Sequence, residues 1–171
     1  VNGQLRTDRT AYDGKGGKMQ FEGRRVLAIS SSGGHWIQLR AITANIDGAV
    51  VYVTTQAPAE SVSAPIYYVP DANKGSPLRL LGSALRVLYL VIRLRPDAIV
   101  TTGAAPGCLA VLLGRLMGKP VVFIDSIANA EAISLSGRIA ARLGVATLTQ
   151  WPHLAGVRGV QYAGHVFGEL E

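Results

Sequence analysis

The chain has 171 residues, 49% of them hydrophobic and 16% charged, with 20 glycines and 8 prolines, which is enough for one sizeable core and too little for two ordinary domains. That apolar content excludes disorder by composition, and the single cysteine, Cys108, excludes an internal disulfide framework or a four-thiolate metal site and points to a reducing compartment. Lysine and arginine number 17 against 11 acidic residues, a net charge of +6, which favours an anionic partner: nucleic acid, a phosphorylated ligand or an acidic membrane surface.

Residues 1–18 carry almost no apolar periodicity and no signal-peptide apolar region. They read as a polar tail, and a valine in first place fits an early-placed translation start, a cloning remnant or a native extension alike. The folded domain is expected over 19–171. From Arg25 onward one pattern repeats: a short β-branched or apolar run ends in Gly, Ser or Thr, and a longer segment with helical spacing follows. Strands are expected at 26–30, 49–54, 66–69, 98–102, 121–124 and 145–149, most of them apolar on both faces. Helices are expected at 35–45, 78–94, 106–117 and roughly 134–143, with Gly118 and Gly144 placed as carboxyl-terminal stops. The fold class is α/β, a Rossmann-like doubly wound parallel sheet, in which ligands bind beyond the carboxyl ends of the strands.

The first strand-to-helix loop is Ser30-Ser31-Ser32-Gly33-Gly34-His35. Glycines there let the backbone approach a ligand, and the following helix aims unpaired N–H groups at it, so the loop suits an anion. It is neither GxGxxG nor a Walker P-loop, and a tight turn without a ligand fits as well. A neutral imidazole at His35, aimed into an anion-binding loop, suits abstraction of a hydroxyl proton, while capping or packing is the structural alternative. No metal-ligand spacing links it to His153 or His165, and no metal site is expected.

The second loop, residues 101–108 (TTGAAPGC), repeats that logic with Thr102, Gly103, Pro106 and Gly107, and Pro106 suits a first helical turn. Two such loops make two walls of a cleft, the alternative being close helix–sheet packing by small residues. Cys108 reads as a small core residue. In the third loop Asp125, Ser126, Asn129 and Glu131 are either caps or ligand hydrogen-bonders, and the Asp125 carboxylate is placed to orient a sugar hydroxyl or His35.

The helix at 78–95 is strongly apolar yet carries Arg79, Arg86 and Arg93 at seven-residue spacing on one face. Such a helix lies in a membrane surface more readily than it spans one, since its charges interrupt the ~20 apolar residues a span needs; an ordinary crossover helix with its arginines in water is the other reading. Nucleic-acid binding is disfavoured, because the basic residues form no runs interleaved with aromatics and no known nucleic-acid motif is present.

Together, SSSGGHWIQL, RPDAIVTTGAAPG and KPVVFIDSIANAEAISLSGRIAARLGVATLTQWPHL resemble the PssD-type bacterial exopolysaccharide glycosyltransferase subunits. They also resemble those subunits' eukaryotic relative, the membrane-anchoring subunit of the dolichol-linked UDP-GlcNAc transferase. The likeness runs from about residue 24 to 164 and is most specific at Gly33-Gly34-His35, at the 101–107 loop and at Gln150-Trp151-Pro152. It implies the amino-terminal, acceptor-binding half of a split GT-B enzyme, whose UDP-sugar-binding half is a separate subunit. On that resemblance Ser32, Gly33 and Gly34 would hold the pyrophosphate of a polyprenyl-linked saccharide, with Thr102, Gly103, Pro106, Gly107, Ser126 and Asn129 completing the site.

The same resemblance makes His35 the base, assisted by Asp125, where many relatives have Glu. Arg79, Arg86 and Arg93 would face the membrane, and Gln150, Trp151 and Pro152 the cleft or the partner. It implies a UDP-sugar donor, in the nearest-looking bacterial systems UDP-glucuronic acid, no cofactor or metal, and a peripheral place on the cytoplasmic face of the inner membrane. Two rival readings are a non-catalytic recruiter of the catalytic subunit and a dinucleotide-dependent oxidoreductase, the latter weakened by the missing GxGxxG.

Overall fold

The computed structural model describes residues 20–72 and 77–168; the expected tail at 1–18 lies outside them. The strands are β1 (Gln20–Ile29), β2 (Asp47–Thr54), β3 (Ile66–Tyr68), β4 (Ala98–Thr101), β5 (Val121–Ile124), β6 (Ala146–Thr149) and β7 (Gln161–Tyr162). The helices are α1 (Gly34–Thr43), α2 (Pro77–Leu94), α3 (Ala104–Leu116) and α4 (Leu135–Arg142), with single 3-10 turns at Pro152–Leu154 and Val157–Gly159. Every strand pair is parallel, and the order across the sheet is β3-β2-β1-β4-β5-β6-β7. This is the expected Rossmann-like doubly wound arrangement, extended by one short edge strand, and its order reverses between β1 and β4.

The pleat sorts the strand side chains into two cores. Val26, Ala28, Val100, Val122 and Ile124 meet Trp36 and Leu39 of α1 on one face. Leu27, Ile29, Ile99, Val121 and Phe123 meet Val87, Leu90 and Val91 of α2, with Val111 of α3 and Ala140 of α4, on the other. Coverage on both faces is why the central strands β4 and β5 are buried at every position.

Helices α3 and α4 stop as expected. Gly118 and Gly144 take positive φ of 64° and 67°, and paired backbone bonds close each end, from the Lys119 amide to the Gly114 carbonyl and from the Val145 amide to the Ala140 carbonyl. Two elements differ from expectation. β1 begins six residues earlier than expected, at Gln20, because Phe21 is buried and a register shift between Gln20 and Arg25 lets the strand continue along β2. β7 was not expected at all: Gln161 and Tyr162 are both exposed and give no apolar signal, and they form a strand because β6 offers an open edge.

Candidate functional site

The switch point brings the β1–α1 and β4–α3 loops side by side. Both helices begin on a glycine in nearly the same unusual conformation: Gly33 at φ 72°, ψ −139° and Gly103 at φ 100°, ψ −140°. Only glycine takes this conformation without strain, and neither helix receives a side-chain cap there. The first-turn amides of α1 and α3 thus face the crevice without a side-chain acceptor. Ala104 follows Gly103 at φ 57°, a left-handed conformation that an alanine adopts only when its surroundings impose it.

Two reciprocal hydrogen bonds lock the loops together. The Thr102 hydroxyl donates to the His35 carbonyl at 3.0 Å, and His35 Nδ1 lies 2.8 Å from the Thr102 carbonyl oxygen. A carbonyl only accepts, so Nδ1 carries the proton, and the lone pair of the neutral ring resides on Nε2. His35 lines a cavity of about 580 Å³ that runs from the switch point between α3 and α4 toward the start of α2. Thr102 and Asn129 line it too, with the apolar side chains Leu80, Leu109, Leu112, Leu135 and Ile139 and the Cys108 thiol. Cys108, expected as a core residue, is half-buried on this wall, and burial raises its pKa, partly offset by a hydrogen bond with Ser136.

The β5–α4 loop corrects the expectation for Asp125. That carboxylate is 2% exposed, and it does not orient His35, whose Nδ1 is held by Thr102. Oδ1 accepts from the Ser126 amide at 3.0 Å and from the Asn129 side chain at 2.9 Å. Oδ2 accepts from the amide of Ser134, the cap of α4, at 2.8 Å. Asp125 therefore holds its own loop in shape. Other sequence-derived site residues also face inward. Gly107 is buried because α3 presses on β4: a Cβ there would lie 2.2 Å from Thr101 Oγ1. Pro106 is buried beside it, so the two shape the wall and do not line the cavity. The Ser32 amide is taken by the Thr55 hydroxyl at 3.0 Å, and the buried Ser126 hydroxyl accepts from Gln38 at 2.9 Å.

Gln150, expected at the cleft or the partner interface, is 1% exposed. Its amide donates to Gln38 Oε1 at 3.1 Å and to the Asp125 carbonyl at 3.0 Å, and its oxygen accepts from the Val166 amide at 3.1 Å. Trp151 is half-buried, with its indole N–H on the Ile127 carbonyl at 2.9 Å, while Pro152 is exposed. Sequence reasoning missed Gln38 and Thr55, whose importance arises only from tertiary contacts; the one available sign for Gln38 was a polar residue on the inner face of an otherwise apolar helix. On α2, Arg79, Arg86 and Arg93 are exposed as expected, and so are Leu78, Leu81, Leu85, Tyr89 and Ile92 beside them. No described helix is long and apolar enough to cross a membrane, and among the described residues no three His, Cys, Asp or Glu side chains gather as a metal site.

Residues 67–166, which carry α2, the Thr102 wall, the Asp125 loop and Gln150, match the family described as oligosaccharide biosynthesis protein Alg14 like. The chain belongs to that family. The Alg14-like chain is 24% identical over 169 residues to the mouse UDP-N-acetylglucosamine transferase subunit ALG14, covering 78% of each. It is 32% identical over 71 residues to the human subunit of the same name, covering 38% of this chain and 33% of that one. Among solved structures it resembles MurG of Acinetobacter baumannii, with TM-score 0.63, 17% identity, and 77% of this chain against 43% of that one. It also resembles the UDP-N-acetylglucosamine 2-epimerase of Rickettsia bellii, with TM-score 0.62, 14% identity, and 85% against 46%. At these identities the likeness is one of fold: the Alg14-like chain spans less than half of either solved chain and has the Rossmann-like architecture of one half of a GT-B protein.

Proposed function

We propose that this chain is the acceptor-binding, membrane-associated subunit of a split GT-B glycosyltransferase of the PssD type. It would transfer a sugar, glucuronic acid as the first donor to try, from a UDP-sugar held by a separate subunit to a polyprenyl-pyrophosphate-linked saccharide in surface-polysaccharide assembly. The observation that carries the reading is His35: Thr102 holds its Nδ1–H, so a basic Nε2 belongs to a crevice walled by two uncapped helix termini. Those termini, at Gly33-Gly34 and Gly103, suit the two phosphates of the acceptor. The acceptor hydroxyl oxygen bonds to the anomeric carbon as the bond to the UDP oxygen breaks, and its proton passes to His35 Nε2. Docking the two reactants and a positioned base together supply the rate. On this reading the chain needs no cofactor or metal, residues 19–171 act as one acceptor domain, and it lies on the cytoplasmic face of the inner membrane.

The test is co-expression of this chain with the protein encoded beside it, followed by pull-down and transfer of radiolabelled UDP-sugar on membranes. Transfer that needs both chains is expected; transfer by this chain alone, or no association, contradicts the division of labour.

A second reading, a non-catalytic recruiter, draws on the exposed Leu81, Leu85, Tyr89 and Ile92 of α2 with Arg86 and Arg93 among them, a surface suited to an anionic membrane. Leu81→Glu with Leu85→Glu is expected to weaken sedimentation with anionic vesicles by about tenfold or more, since each exposed leucine contributes about 1–2 kcal/mol when buried in lipid. The melting temperature should be unchanged; unaltered sedimentation would remove α2 from the membrane surface.

A further inference from the structure

The 580 Å³ cavity has an unusual division of chemistry. At the switch-point end stand His35 and Thr102, beside the uncapped helix termini. Along the rest of its length the polar side chains are few and each already makes a bond within the protein: Asn129 donates to Asp125 at 2.9 Å, the Ser134 hydroxyl accepts from the Gly137 amide at 3.0 Å, and Ser136 bonds with the Cys108 thiol. The surface offered to an occupant is mainly that of Leu80, Leu109, Leu112, Leu135 and Ile139. A sugar placed there would lose its water and gain few hydrogen bonds, an unfavourable exchange. A hydrocarbon would gain burial at no polar cost. The outer rim, Leu112 and Leu135, is open to solvent, and α2, which contributes Leu80 to the wall, carries the exposed leucines of the preceding section on its outer side.

We infer that this cavity grips the isoprenoid units of the acceptor nearest its pyrophosphate, an inference that rests on the acceptor-side reading of the crevice and extends it. The lipid then leaves the bilayer for its first few units, passing Leu135 and Leu112, and presents its pyrophosphate to the two helix termini. An amphipathic ligand matches both ends at once: anionic head at the amides, prenyl chain in the cavity.

Cys108 lies on the cavity wall and is the only cysteine of the chain, so its alkylation reports occupancy. The full chain is treated with a maleimide at mildly alkaline pH, because burial raises the thiol's pKa, with farnesyl diphosphate or inorganic pyrophosphate as the probe. Farnesyl diphosphate is expected to slow alkylation by about tenfold at about ten times its Kd, and pyrophosphate to leave the rate unchanged. Leu135→Lys, at a 45% exposed rim position where folding should survive and circular dichroism can verify it, is expected to abolish protection. Leu116→Lys, on the 83% exposed outer side of α3, is expected to keep it. Equal protection by pyrophosphate, no protection by farnesyl diphosphate, or full protection in Leu135→Lys would overturn the assignment. Protection without two-chain transfer supports the cavity assignment while refuting the catalytic reading; transfer without protection does the opposite.

Discussion

The β1–α1 and β4–α3 loops stand beside the β5–α4 loop at one edge of one sheet, yet they treat their polar groups in opposite ways. The first two begin helices on bare glycines, leave the helix termini without side-chain caps and tie themselves together through the His35–Thr102 pair. The third is rich in polar side chains and turns them inward: Asp125 gathers Ser126, Asn129 and Ser134, while Gln38 and Gln150 bind the loop to α1 and β6. On the proposed reading, binding capacity lies with the helix-terminal amides of the first two loops, which no side chain caps and which remain available to a ligand. The β5–α4 loop acts as a brace.

If that contrast holds, the largest stability loss should come from the brace. Asp125→Ala leaves two amides and the Asn129 side chain without their acceptor in a buried loop. A loss of about 2–4 kcal/mol is expected, read by calorimetry as a fall of roughly 5–15 °C in Tm. Asp125→Asn, which keeps one acceptor oxygen, should lose less, and an unchanged Tm in Asp125→Ala would dissolve the distinction between brace and binding loops.

Next in size are the glycines. Gly107→Ala forces a methyl onto Thr101 Oγ1, and Gly103→Ala meets both a φ of 100° and the Phe123 ring at 3.2 Å. Each is expected to cost about 1–3 kcal/mol, whereas Gly34→Ala, with nothing within 4 Å of its Cβ position and an ordinary φ, should leave the melting curve in place. Equal losses at all three positions would mean that close packing and backbone conformation do not set these losses.

The smallest effect belongs to an exposed brace. Glu60 accepts from the Trp36 indole N–H, and that bond, before all other causes, holds its pKa below the ordinary carboxylate value. The folded pKa is lowered, so the contribution is present above the unfolded value and disappears as pH falls through the folded one. The Trp36 indole resonance should shift below the ordinary Glu range; a shift centred within that range would mean that the bond does not persist in solution.

Much of this was readable from residues. The alternation of β-branched runs with helical spacing located six strands and four helices, and the placement of Gly118 and Gly144 marked two helix ends, because local backbone preferences and burial act together there. Gly33-Gly34-His35 and Thr102-Gly103 were readable as facing loops because strand order follows from βα repetition. Asp125 was not, since a carboxylate after a buried strand reads equally as ligand-binder or brace, and only the positions of Asn129 and Ser134 decide between them. Gln150 was not readable either: the resemblance implied the cleft or the partner, while its burial depends on Gln38, 112 residues earlier in the chain.

The most direct measurement is sugar transfer by the reconstituted pair carrying His35→Ala, with association of the two chains checked in the same samples. Loss of His35 should leave pairing intact and cut turnover by about 10²–10⁴-fold, the usual contribution of a positioned general base. Unchanged turnover with intact pairing would make His35 a structural residue of the Thr102 lock and leave this chain a recruiter.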